Sequence, residues 1–251
     1  MRLPSGRLVT YLAIVVLLLG LVSTGVGFIL RRHRQMNSQV VPFTMVSTQQ
    51  FFKAGENKRP PRANITRFQR SDGNWKEVVT YYNEDRSIRG TTTTLGITGR
   101  GVFKVNDDVQ KLFFLSPMYH ASHEINEDQL RKTGQFARDA VVLGFPVIVQ
   151  RTPSGDETGY TEFYLAPSLG GTMVRQVVFH ADGSYSVVDA ETIKVGEPSE
   201  SEFGVIPNYP VDYALYERFI KDADSQGDHE LANKMRQVLE QQKAASSSGH
   251  G

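Results

Sequence analysis

The chain has 251 residues, 39% hydrophobic and 22% charged, with a formal net charge of +1 and no cysteine. This composition is globular; it excludes a wholly disordered chain, a disulfide framework, a thiolate nucleophile and a cysteine-ligated metal. The neutral balance conceals an asymmetry: of 28 Lys and Arg, 2 precede residue 8 and 9 lie in residues 31–70 beside one acid, Glu56, leaving 17 from Ser71 onward against 26 of the 27 acids.

After an N-terminal tail (residues 1–7), Leu8 to Leu30 carries no charged side chain. As a helix it rises about 34 Å, enough to cross a hydrocarbon core of about 30 Å with some tilt. A cleaved signal peptide is the alternative, with Arg2 and Arg7 before the apolar run and Ser23 and Gly25 as small residues for a peptidase. The run continues through Val26, Phe28, Ile29 and Leu30 into Arg31-Arg32-His33-Arg34, which favours an uncleaved single transmembrane helix at 8–30. Two arginines before the span and three after it place the domain in the cytoplasm on a literal count, but large domains cross regardless of so small a difference.

Residues 31–63 read as a basic linker. Pro42, Pro60 and Pro61 interrupt it, Phe43 to Val46 form a short apolar patch, and Gln49 to Phe52 suit a short helix. Its cations are dispersed, which fits a solvated stalk beside anionic head groups and not a nucleic-acid surface. From residue 64 to 210 the pattern is that of an antiparallel β-rich domain. Ser71-Asp72-Gly73-Asn74 sits between two alternating runs as a hairpin turn. Ser87 to Leu95, with four consecutive threonines, suits the next strand, and Gly101 to Val105 and Val109 to Leu115 complete a meander. Asn126-Glu127-Asp128 opens a short helical insertion reaching Lys132, with acids at its positive end. Gln135 to Val142 either continues the helix or joins the apolar run 140–150. A second block, Gly159 to Ile193, repeats the Asp-Gly turn at Ala181-Asp182-Gly183-Ser184. Residues 211–243 predict a C-terminal helical hairpin, with stripes at Val211, Leu215, Phe219 and at Leu231, Met235, Val238, Leu239, and with Gly227 and Asp228 as stop and cap. Residues 244–251 read as a disordered tail.

In the second block, Glu162-Phe163-Tyr164-Leu165-Ala166-Pro167, Phe179-His180-Ala181-Asp182-Gly183, Gly196-Glu197-Pro198, Phe203 and Ile206-Pro207 together resemble a pattern in bacterial envelope proteins of the LolA-like group, lipoprotein carriers and sigma-factor regulators. The resemblance covers roughly residues 65–210. It implies a curved antiparallel sheet with helices in its concavity, an extracytoplasmic location, and an apolar, lipid or lipidated-protein ligand. The anchor and the terminal hairpin depart from soluble carriers of that group.

The expected fold is therefore α+β: an N-terminal transmembrane helix, a curved antiparallel sheet with a short helical insertion, and a C-terminal helical hairpin. No nucleophile–base pair, phosphate loop or dinucleotide fingerprint is present, so no catalytic residue, metal or cofactor is assigned. His120 and His123 have a spacing that a zinc enzyme would use, but the order is not that of the zincins and no third ligand is evident. Spread over the strands are aromatics that a curved sheet turns toward a cavity; Trp75, Tyr82, Phe103, Phe114, Tyr164 and Phe179 are the candidate ligand-binding residues. Leu231, Met235 and Leu239 are the candidate partner-binding residues. The expected function is a non-enzymatic binding domain, anchored by residues 8–30 in the inner membrane with its body in the periplasm. The alternative is a scaffolding subunit of an envelope complex.

Overall fold

The structure is a computed structural model describing residues 40–56, 59–117, 127–133, 135–153 and 159–248. The expected span at 8–30, the disputed orientation and the pair His120 and His123 lie outside them. Among the described residues no helix is long and apolar enough to cross a membrane.

Among the described residues twelve strands join in one curved, open sheet. They are β1 (Phe43–Phe52), β2 (Ala63–Gln69), β3 (Trp75–Tyr82), β4 (Ile88–Ile97), β5 (Gly101–Asn106), β6 (Lys111–Ser116), β7 (Phe136–Val142), β8 (Phe145–Pro153), β9 (Tyr160–Ala166), β10 (Thr172–Phe179), β11 (Tyr185–Val195) and β12 (Val211–Asp212). The order across the sheet is β12-β6-β5-β4-β3-β2-β1-β11-β10-β9-β8-β7. All pairings are antiparallel except β12 with β6. Two meanders, β2–β6 and β7–β11, thus flank β1, and β11 returns from the far end to close on it.

The position of β1 corrects the reading of 31–63 as a linker. Residues 43–52 are the centre of the sheet, paired with β2 on one side and β11 on the other. Phe43 and Met45 are buried and drive the strand inward, while its polar half, Ser47 to Gln50, is held by backbone pairing on both sides. A helix at 49–52 is excluded by that pairing. A bulge lies at Val46/Ser47, and beyond it β11 no longer pairs with β10. There Phe43 and Met45 join one apolar cluster with Val147, Val149, Ala166, Leu169 and Val174 of the second meander.

Both predicted Asp-Gly turns form. Gly73 and Gly183 have φ of 86° and 79°, and the Asp72 and Asp182 carboxylates accept from the backbone N–H groups of Asn74 and Ser184. A third turn, Asn83 to Ser87, has the same bonds, but Arg86 stands at its left-handed position with φ 67°.

The insertion is α1 (Glu127–Thr133). Its buried Leu130 packs with Ile148, Phe163 and Leu165. Residues 136–142 are an edge strand and not a continuation of that helix. After β11 the chain makes one helical turn, α2 (Glu200–Phe203), capped reciprocally by Ser199 and Glu202. Two helices follow, α3 (Ala214–Ser225) and α4 (His229–Ser248). They correct the C-terminal boundaries: Val211–Asp212 adds to the sheet beside β6, and α4 continues to Ser248 where a disordered tail was expected.

Candidate functional site

Residues paired across neighbouring strands share a face of a sheet. The pairings Met45–Arg67–Glu77–Thr94, Ser47–Ile65–Val79–Thr92 and Phe43–Gln69–Trp75–Gly96 therefore run as three adjacent rows on one face. The opposite face of the first meander carries Leu95, Phe103, Leu112 and Phe114 and is covered by α3 and α4.

On the first face, Trp75 lies over Gly96, where an added Cβ would come within 2.0 Å of Trp75 Nε1. The Arg67 guanidinium stacks 4.8 Å from the Trp75 ring centroid. Its Nη1 is 4.0 Å from Glu77 Oε2, a loose contact for an ion pair, and its Nε is buried without a hydrogen-bond partner. Burial pushes the Glu77 carboxyl above its ordinary range and the Arg67 guanidinium below its own, each partly offset by the other's charge. Desolvated charges held this loosely cost stability. Met45 and Ile65 are buried beside the pair, and the half-buried Val79 and Trp75 supply apolar surface next to it.

A second polar group lies in the other meander. Glu162, 4% exposed, accepts from Arg138 Nη1 and Nη2 (2.8 Å each), from Arg151 Nη2 (2.7 Å) and from the Tyr164 hydroxyl (3.0 Å). The Arg138 bonds above all hold the Glu162 carboxyl down at about 2. Beside it Arg175 forks onto Asp189 at 2.8 and 2.6 Å. Three guanidiniums thus share two carboxylates. Next to them runs a stack of rings, Tyr160–Phe179–Tyr185–Phe52, with centroids 4.5, 6.1 and 4.7 Å apart.

The six candidate ligand-binding aromatics separate. Trp75 stands on the Arg67–Glu77 face. Phe103 and Phe114 are 2% and 0% exposed beneath α3, with Phe114 against Tyr213 and Tyr216; they are core and line no open surface. Tyr164 belongs to the arginine network and Phe179 to the ring stack. Tyr82 accepts a hydrogen bond from Asn64 Nδ2 at 3.1 Å. Of the partner-binding candidates, Leu239 is 5% exposed and Met235 packs with it against the first meander's core, so both belong to this chain's own interior. Leu231 is 40% exposed. Among the described residues no group of three or more His, Asp or Glu is placed to hold a metal ion.

Arg67 and Glu77 were missed although a signal exists. An Asp72-Gly73 hairpin that pairs Gln69 with Trp75 must also pair Arg67 with Glu77. The second hairpin places Arg175 opposite Asp189 by the same logic.

No family model matches the chain, and no curated protein matches its sequence. Solved structures do match. The MucA/MucB complex of Pseudomonas aeruginosa is similar at 14% identity with a TM-score of 0.40, over 67% of this chain and 56% of that one. A LolA superfamily protein of Nitrosomonas europaea is similar at 12% identity and TM-score 0.31, over 68% of this chain and 92% of that one. The Mycobacterium tuberculosis lipoprotein LppX is similar at 13% and 0.29, over 64% and 88%. The chain spans little more than half of the MucB-complex chain it matches. LolA superfamily proteins, the group that the second block resembles in sequence, are among these matches.

Proposed function

We propose that the chain is a non-catalytic binding domain of the cell envelope, tethered by residues 8–30, that holds an amphiphilic ligand on the face carrying Trp75. The apolar body of the ligand lies along Val79 and Trp75, and its charged head replaces part of the Arg67–Glu77 contact. The observation that carries this reading is the buried Arg67 Nε without a partner, on a guanidinium whose Nη1 stands 4.0 Å from Glu77 Oε2. A buried donor left unpaired costs about 1–3 kcal/mol, which a bound oxygen acceptor recovers.

The chain contains a single tryptophan, and it stands on this face. Titrating the protein with lysophosphatidylglycerol, against an uncharged amphiphile of equal chain length, is expected to shift Trp75 emission saturably for the anionic ligand. Arg67→Met is expected to weaken that response tenfold or more while leaving the apolar contribution. An emission spectrum indifferent to both amphiphiles, with no lipid in mass spectra of the purified protein, refutes the ligand. The compartment is tested separately, by a reporter fused after Lys243 that is active on one side of the membrane.

A further inference from the structure

The sheet has an open end. On its outer side β7 pairs with no described strand, and three of the chain's exposed large apolar residues lie on it or just beyond it: Phe136 at 43%, Val141 at 68% and Leu143 at 49%. Edge strands are ordinarily blunted by charges, bulges or proline, because their free N–H and C=O groups template another strand. In β7 the bulge and both charges fall in the first half, at Phe136/Arg138 and Asp139. From Ala140 to Leu143 the edge is uncharged, and Asp139 to Val142 pair with β8 without a bulge.

The tip adds an independent observation. β7 and β8 are joined by the two-residue turn Leu143-Gly144, with φ of 51° and 82°. Such a turn favours Asn-Gly, since an L-residue other than Asn or Asp is strained at positive φ. Here an exposed leucine occupies the strained position.

We infer that β7 is a docking edge, to which an extended segment of a partner protein adds as the next strand, with apolar side chains against Val141 and Leu143 and a carboxylate opposite Arg138. The acid follows from charge. Arg138 and Arg151 converge on the single carboxylate of Glu162, both are nearly half exposed, and neither Arg138 Nε nor Arg151 Nη1 has a partner among the described residues. This local cationic excess sits in a region that is otherwise acidic, with 17 basic residues against 26 acidic ones from Ser71 onward. A discrete acidic strand suits it better than a broad anionic surface would. A second copy is disfavoured: two-fold pairing of β7 about its middle residue sets Asp139 against Asp139, and like charges directly opposite are destabilising.

The test selects a phage library of nine-residue random peptides against the full chain in non-ionic detergent. Enriched peptides are expected to alternate apolar residues with others, to carry one fixed Asp or Glu, and to slow hydrogen exchange at β7 amides. Val141→Lys and Leu143→Asn are each expected to weaken their binding at least tenfold. Leu143→Asn relieves the strained turn, so its melting temperature is expected to hold or rise, which separates lost docking from lost folding. No enrichment, undiminished binding to both variants, or peptides without an acid overturn the proposal. Concentration-dependent dimerisation abolished by Val141→Lys would overturn it in favour of a second copy.

Discussion

Replacing Glu162 with glutamine removes one charge and keeps the side chain's shape, so it isolates what the carboxylate does for the second meander. The carboxyl titrates at about 2 in the folded chain against an ordinary 4.5. At about 1.4 kcal/mol per unit the shift corresponds to a ceiling of about 3.5 kcal/mol. Glu162 is buried, but Arg138 and Arg151 are 46% and 45% exposed, and solvent screening reduces the net value to about 1–2 kcal/mol. The sign follows from linkage. A depressed carboxyl pKa stabilises the folded state fully above the unfolded value of 4.5, and that stabilisation is lost as pH falls toward 2. Urea unfolding of wild type and Glu162→Gln should therefore differ by about 1–2 kcal/mol at pH 7, and the difference should fall by more than half between pH 5 and pH 3. A difference that does not change with pH would mean the loss comes from packing and not from charge. A difference below about 0.3 kcal/mol at pH 7 would mean that solvent already screens the network completely.

Three further substitutions probe the fold. Arg86→Gly places the residue that the left-handed turn position favours into the third hairpin. Relief of about 1–2 kcal/mol of strain, less the entropy glycine gains on unfolding, is expected to raise stability by about 0.5–1 kcal/mol in thermal melts; a lower melting temperature contradicts it. Leu239→Ala opens the core under α4 and is expected to cost about 2–4 kcal/mol, whereas Leu231→Ala, on the exposed side, should stay within about 0.5 kcal/mol; equal costs would place the helix in another orientation. Gly96→Ala drives a methyl into the Trp75 ring and is expected to destabilise by about 1–3 kcal/mol and to shift the emission of the only tryptophan. An unchanged spectrum would mean the ring does not lie over β4.

What the sequence made legible is what local chemistry determines. The Asp-Gly turns at 72–73 and 182–183, the alternation beside them, the acidic start of α1 and the stop at Gly227 each depend on residues a few positions apart, and each is where it was expected. The stripe of the last helix was legible too, but a stripe does not name what it faces. Leu239 and Met235 face β4–β6 because β12 carries the chain to the edge beside β6 and returns the helices over that meander.

The largest misreading, β1 as linker, has a physical cause of the opposite kind. Its sequence, Phe-Thr-Met-Val-Ser-Thr-Gln-Gln-Phe-Phe, alternates only over its first half, and Gln49 and Gln50 suggest solvent. Those glutamines tolerate the sheet's centre because their backbones are paired on both sides and the Gln50 side chain donates to the Arg59 carbonyl. The partner that completes this arrangement, β11, lies at the far end of the domain, so no window of local sequence contains the cause of the strand. The loose Arg67–Glu77 pair belongs to the same case. The hairpin places the two side chains opposite each other, but Met45 on β1 and Thr94 on β4 flank the pair only because the whole sheet closes. A binding face assembled by long-range closure is visible in sequence only once the register is known. Hairpin arithmetic from an Asp-Gly turn is therefore the step that brings cross-strand charged pairs within reach of sequence reading.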